Sequence, residues 1–327
     1  MSIKIARVFI FQAKIDSWVL KKTKLFILST DKTIYFYTQR GVFICWVYSN
    51  TFFNTETLYF MKRKILGLLL LVSCFMVVKS QDFHITAFTG VSNYQGDLQP
   101  KFFAFQQANF AIGIGGLYEV NEQLYLRGNV SFGKIKGDDK RYSLNTSRNL
   151  SFSSPIVDIH LGAEYDILNS YERTFVPFVF TGISIFNFNP STQDSGGLGQ
   201  VFLRPLGTEG QGFNGKNKYK LTQLALPFGG GVKYSVSDNV KIRLEMGFRK
   251  TFTDYLDDVS STYANPAALL ANNGSLAFSI SYRTDEMPGG SKSYPGPNRI
   301  RGNPKLKDWY YFAGIGVSFR ISTDSYY

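Results

Sequence analysis

The sequence predicts an all-β fold: a single transmembrane antiparallel β-barrel of eight strands, with long extracellular loops. Three observations predict it. From residue 83 onward, apolar and polar residues alternate with period two in segments of about ten residues. The connections between those segments alternate between short and long. No run after residue 80 is long and apolar enough for a spanning helix, so any crossing must be made by a closed sheet.

The chain before residue 83 reads differently. Residues 1–60 hold eight Lys or Arg, three acids, one Gly and no Pro, without a clean helical or strand period. Met61-Lys-Arg-Lys then opens a basic segment, followed by an apolar run from Ile65 to Val78. With Val78 and Ser80 at the −3 and −1 positions, 61–80 reads as a secretory signal peptide, the alternative being a short anchor. Leu71, Val72, Ser73 and Cys74 also resemble a lipoprotein processing site, but four apolar residues follow Cys74 where a polar tether would begin. A leader starting at residue 61 makes 1–60 a mis-assigned N-terminal extension outside the mature protein. A genuine anchored extension is the competing reading. The exported barrel is then 81–327.

This division changes the charge argument. The whole chain carries 36 Lys and Arg against 24 Asp and Glu, a net of +12, whereas 81–327 carries 24 against 21. A nucleic-acid function resting on bulk positive charge loses its basis. Both cysteines, Cys45 and Cys74, precede residue 81, so the exported part has no disulfide and no thiolate metal site.

The strands follow in order. Segments 83–95 and 108–119 alternate weakly. In 124–133, Leu124, Leu126, Val130 and Phe132 oppose Tyr125, Arg127, Asn129 and Ser131. In 157–167, Val157, Ile159, Leu161 and Tyr165 oppose Asp158, His160, Glu164 and Asp166. Segments 175–188 and 221–236 are weaker. The strongest is 240–249, with Val240, Ile242, Leu244, Met246 and Phe248 against Lys241, Arg243, Glu245, Gly247 and Arg249. In the last, 311–321, Ile315, Val317 and Phe319 oppose Gly314, Gly316, Ser318 and Arg320.

Short turns lie at Asn121-Glu122, Asn169–Glu172 and Ser237-Asp238; the long connections are 96–107, 134–152, 189–220 and 250–309. Outer-membrane barrels have this asymmetry, with short turns in the periplasm, and an even strand count puts both termini there. A soluble sandwich would explain the alternation but not the asymmetry. Nor would it explain aromatics near strand ends (Phe83, Tyr118, Tyr125, Phe186, Tyr234, Tyr311 and Phe319). The inward set mixes Arg127, Lys241, Arg243, Arg249 and Arg320 with Asp158, Glu164, Asp166 and Glu245. In a narrow eight-stranded lumen these are expected to pair rather than line an open pore. A further alternating stretch, Ser275 to Arg283, reads as ordered structure above the membrane or a hairpin arm pairing there.

Candidate chemistry is sparse. His160 has Asp158 on the same strand face and Ser153 or Ser154 near the outer end, a weak echo of a nucleophile–base–acid set. An interior network explains His160 more simply, and His84 stands at the start of strand one. Asp254, Asp257 and Asp258 offer three carboxylates within five residues, but the loop lacks the glycine and terminal glutamate of a calcium hand. Capping, loop ion pairs or a protein contact account for them better. Pro205 to Gly212 resembles a phosphate loop only in glycine density, and its glycines are expected to permit a tight fold. No catalytic, cofactor-binding or metal residue is assigned.

The loops carry a more specific resemblance. Tyr94–Leu98, Arg148–Phe152, Phe186–Pro190, Pro205–Gly212, Pro227–Lys233, Thr251–Tyr263, Arg301-Gly302 and Asp308–Tyr310 run in order along the exported part. Together they resemble a family of Bacteroidota outer-membrane barrels that includes the PorG component of the type IX secretion system. The resemblance implies a non-enzymatic barrel in the cell outer membrane. It also implies a periplasmic partner, a secretion ring made by a lipoprotein and its companion subunit, in a machine for protein secretion and, in gliding relatives, motility. No nucleic acid, cofactor or small-molecule substrate is implied. The alternative is a structural or surface-binding barrel unrelated to secretion; a solute channel ranks below it. Most of the matching residues fall in the long loops, while the implied ring contact must come from the short turns and the two termini.

Overall fold

The computed structural model describes residues 26–30, 33–38, 41–46, 82–101, 103–142, 145–213 and 215–321. They belong to two units, Met1–Val78 and Lys79–Tyr327. The expected signal peptide, 61–80, lies outside the described residues. In the first unit β1 (Phe26–Thr30), β2 (Thr33–Thr38) and β3 (Gly41–Trp46) form an antiparallel meander. Strands therefore occur where the sequence shows no clean period. Aromatic and β-branched residues such as Thr33, Ile34 and Tyr35 supply the β-propensity.

In the second unit the strands are β4 (Phe83–Gln95), β5 (Asn109–Glu119), β6 (Leu124–Asp138), β7 (Ser151–Asp166) and β8 (Phe175–Phe188). A small hairpin, β9 (Ser191–Asp194) and β10 (Gly199–Phe202), precedes β11 (Thr222–Ser235), β12 (Val240–Thr251) and β13 (Trp309–Ile321). Eight of them close a ring. Each long strand pairs antiparallel with the next, and β13 returns to β4 from Trp309↔Gln95 to Ile321↔Phe83. All eight expected strands are present, joined by short turns at one end and long loops at the other.

The pleat sorts the side chains as expected. On β12, Lys241, Arg243 and Arg249 are buried while Ile242 and Leu244 are exposed. On β7, Ile159 and Leu161 are exposed while Asp158, His160, Glu164 and Asp166 are buried. Exposed Phe83, Tyr118, Tyr234 and Phe319 stand at the turn end of this apolar wall. Tyr125 and Phe186, also near strand ends, point inward and are buried: Tyr125 shares the face of Arg127, as its alternation indicates, and Phe186 pairs with Asp158.

Glycines make room in the lumen. A Cβ on Gly229 would lie 2.8 Å from the Phe180 ring and 2.2 Å from the Met246 carbonyl oxygen. Gly229 and Gly231, on the inward face, leave the space in which Phe180 and Phe178 fill the interior.

Toward the loop end the polarity reverses. β6 and β7 extend beyond their alternating stretches, and there Lys134 and Lys136 face outward while Ile135 and Phe152 are buried within. This is the reversal expected where strands leave lipid for water. An apolar core including Tyr94, Leu98, Phe186, Phe188 and Leu256 plugs the barrel at that level.

The stretch Ser275–Arg283 corrects the hairpin-arm reading: all but its last two residues belong to a helix, Pro266–Ser281, kinked at Gly274 (φ 87°, ψ 175°). Asn265 caps it by accepting from the Ala268 amide at 3.0 Å, and Pro266 occupies the first turn. Its buried residues Ala277, Ile280 and Ser281 follow helical spacing and mix the two faces of the apparent strand alternation.

Candidate functional site

The long loops converge on a buried polar cluster. Glu209, from the loop between β8 and β11, accepts from the Ser260 amide (2.9 Å), the Ser261 amide (3.0 Å) and the Ser261 hydroxyl (2.8 Å). Arg301 donates to Glu209 at 3.0 Å and to the Asp258 carbonyl at 2.6 Å. Arg148 grips Asp139 with two nitrogens, at 2.7 and 2.8 Å, and also donates to the carbonyls of Asp97 and Arg301. Every long loop therefore contributes to one network, and most of the distinctive loop motifs are in it. Their work is to fold the cap.

The three clustered aspartates diverge to different partners. Asp257 accepts from the Tyr94 hydroxyl at 2.5 Å and from the Val259 amide at 2.9 Å. Asp258 accepts from Thr208 and from the Tyr219 hydroxyl, with its backbone in the left-handed region at φ 66°. Asp254 is buried, and burial raises its carboxyl to about 7. Asp258 is raised to about 6, again by burial, which outweighs the opposing pull of Arg301. Burial followed by repulsion from Asp97 pushes Asp257 up, and burial followed by repulsion from Asp257 pushes Asp308 up. Among the described residues no group of three His, Cys, Asp or Glu side chains is arranged to hold a metal ion. The glycine-rich stretch folds tightly: Gly207 sits at φ 59° and its position leaves no room for a Cβ beside the Gln211 carbonyl.

Below the cap the lumen is filled by a charge-balanced network. Arg127 donates to Glu164 (2.9 Å) and Glu245 (2.6 Å); Arg243 holds Glu164 through two bonds, at 2.9 and 2.6 Å. Lys233 pairs with Glu164 at 2.8 Å and Asp166 at 2.5 Å. Three cations thus face three carboxylates, with Arg127 over the Phe180 ring at 4.1 Å and Arg243 over Phe178 at 4.4 Å. Pairing is what makes burial of these charges tolerable.

The residues considered for acid–base work are not brought together. Asp158 is engaged by the Tyr310 hydroxyl at 2.7 Å and by Arg249 at 3.4 Å. Ser154 donates to the Pro155 carbonyl and accepts from the Asn189 amide. Ser153 has the opposite pleat parity, and neither ring nitrogen of His160 has a hydrogen-bond partner. His160 packs against Phe180, with ring centroids 5.7 Å apart.

At the turn end the barrel mouth holds a polar cleft of about 420 Å³. The turn 169–174 and the turn 235–238 form its walls; His84, Lys241 and Arg320 also line it. Tyr125, whose hydroxyl lies 3.1 Å from Ser170, and Lys233, 4.4 Å from the Tyr125 ring, close the lumen behind these turns. The sequence indicated the turns but not the cleft, because no local motif joins residues as distant as His84 and Arg320.

The closed sheet, its apolar outer wall and its charged interior are those of an outer-membrane β-barrel. A family model described as a domain of unknown function, DUF6089, matches residues 62–198. No curated protein matches the chain in sequence. Similar solved structures include Neisserial surface protein A, at 11% identity over 74% of this chain and 100% of that one, TM-score 0.38. OprG from Pseudomonas aeruginosa is 12% identical over 74% of this chain and 97% of its own, TM-score 0.38. The attachment invasion locus protein Ail of Yersinia pestis is 9% identical over 74% and 100%, TM-score 0.35.

Proposed function

We propose that this chain is a non-enzymatic outer-membrane barrel that anchors a periplasmic assembly through its short turns. In this reading it is a PorG-like component of a type IX secretion system, holding a ring of a lipoprotein and its companion subunit. The observation that carries the proposal is the contrast between the two ends. The loop motifs are consumed in a buried cap, while the turns frame an open polar cleft with unused donors. A barrel plugged by its own side chains serves better as a fixed platform than as a conduit.

The test is purification of the tagged chain in mild detergent, with identification of co-purifying proteins, beside a deletion strain assayed for export. A periplasmic ring lipoprotein should co-purify and export should fail. Normal export with a barrel that purifies alone would end this reading.

A second reading is favoured by one feature of the cap. Phe105 and Ile300 are 77% and 78% exposed, and Leu198 and Leu306 are exposed as well. Ordered apolar side chains on outer loops suit contact with another surface. Loop substitutions would then abolish binding, and turn substitutions would leave it intact.

A further inference from the structure

The turn-end cleft contains donors that the barrel itself does not use. Lys241 is only 7% exposed, lines the cleft, and makes no ion pair or hydrogen bond among the described residues. Its ammonium lies 5.7 Å from the Tyr171 ring, a contact that stabilises a cation without neutralising it. Every other basic side chain in the buried lumen wall has a carboxylate: Arg127, Lys233, Arg243 and Arg249 are all paired. Lys241 breaks that pattern at the place where the lumen opens.

Three further groups on the same cleft are unsatisfied. Arg320 pairs with Asp82 through one nitrogen, yet its Nε has no partner. The Ser235 hydroxyl is buried without one, and His84 Nε2 makes no hydrogen bond, Glu119 being 3.6 Å away. A buried donor left without a partner is unfavourable, because its lost hydration is not replaced. With the unpaired Lys241 ammonium beside them, these three describe a site that awaits an acceptor.

We infer that this cleft binds a single carboxylate of a periplasmic protein, with Lys241 as its counter-ion and Arg320, Ser235 and His84 as additional donors. The inference rests on the anchoring role proposed above and names the chemistry of the partner. The donors select the acceptor. Asp82 pairs with Arg320 and Glu119 lies 3.6 Å from His84, whereas Lys241, on the floor, has no carboxylate within ion-pair distance. At the exposed rim Glu172 and Asp238 outnumber Arg173, which disfavours a dianion such as phosphate. The cleft lies inside the ring of strands, away from the apolar wall that meets lipid, and its volume suits a side chain or a chain end.

The test titrates the full chain in detergent with the peptide acetyl-Gly-Gly-Glu-amide, its Gln counterpart and inorganic phosphate. The Glu peptide should bind at least tenfold more tightly than the Gln peptide. Lys241→Gln should weaken the Glu peptide at least tenfold and Lys241→Arg should restore most of the loss. Lys241 has no partner to orphan, so both variants should keep the heat-modifiable migration of a folded barrel. Equal affinity for the two peptides, no binding, or phosphate binding more tightly than the Glu peptide would each overturn the inference. Peptide binding in a chain that captures no periplasmic protein would instead retain the site and defeat the anchoring role.

Discussion

Arg301 and Glu209 lie 92 residues apart in sequence and meet at 3.0 Å with 3% and 1% of their surfaces exposed. The pair ties the loop after β12 to the loop after β8. Removing one partner leaves a buried charge alone, which costs about 3–5 kcal/mol. Arg301→Met is therefore expected to expose 252–308 to protease while the strands stay protected. Limited proteolysis followed by mass mapping checks this, and an unchanged cleavage pattern would show that the cap does not depend on the pair.

The cap should also respond to pH. Asp254 and Asp258 have their carboxyls raised by burial to about 7 and about 6, against an ordinary value of 3.8. Lys307 pulls Asp254 down while Asp97 and Glu209 push it up; Arg301 pulls Asp258 down. Between pH 4 and 7 the folded cap binds more protons than the unfolded one, so its stability falls as pH rises. The slope approaches about 1.4 kcal/mol per pH unit for each group within its window. Hydrogen exchange of the loops should be slowest near the acid end. Asp254→Asn, which mimics the protonated form, should flatten the dependence and protect the cap at pH 8. Exchange that slows on alkalinisation would contradict the assignment.

Glu164 is the hub of the lumen, touching Arg127, Lys233 and Arg243. Glu164→Ala strands three cations against two remaining carboxylates. A loss of about 3–5 kcal/mol is expected, read as a lower midpoint for denaturant unfolding in detergent. Glu164→Ala combined with Arg243→Met should recover part of it, because one cation is withdrawn with the anion.

The lumen network and the apolar plug above it also bear on transport. In a planar bilayer the wild-type barrel is expected to show no resolvable unitary conductance. Steady single-channel steps would contradict a filled interior.

The barrel was legible because its strands are amphipathic at period two, a local signal that survives in a single sequence. Even the pairing of inward charges could be anticipated from the narrowness of eight strands. The cap was not legible. Tyr94 and Asp257 are 163 residues apart, and nothing in either neighbourhood announces the other. The helix Pro266–Ser281 was hidden by chance: Leu276, Phe278 and Ile280 alternate, and only the Asn265-Pro266 start marks the true period. At the mouth, Lys241 looked like one more paired lumen cation. Its lack of a partner is visible only in three dimensions.

The anchoring role proposed above makes the short turns, and not the loop cap, the working face. The most direct measurement compares co-purification from mild detergent for three tagged chains. They are the wild type, an Arg301→Met cap variant, and a variant with Tyr171, Glu172 and Arg173 replaced by Gly, Asn and Gly. A periplasmic protein is expected to accompany the first two and to be lost from the third. Retention by the turn variant together with loss from the cap variant would contradict that role.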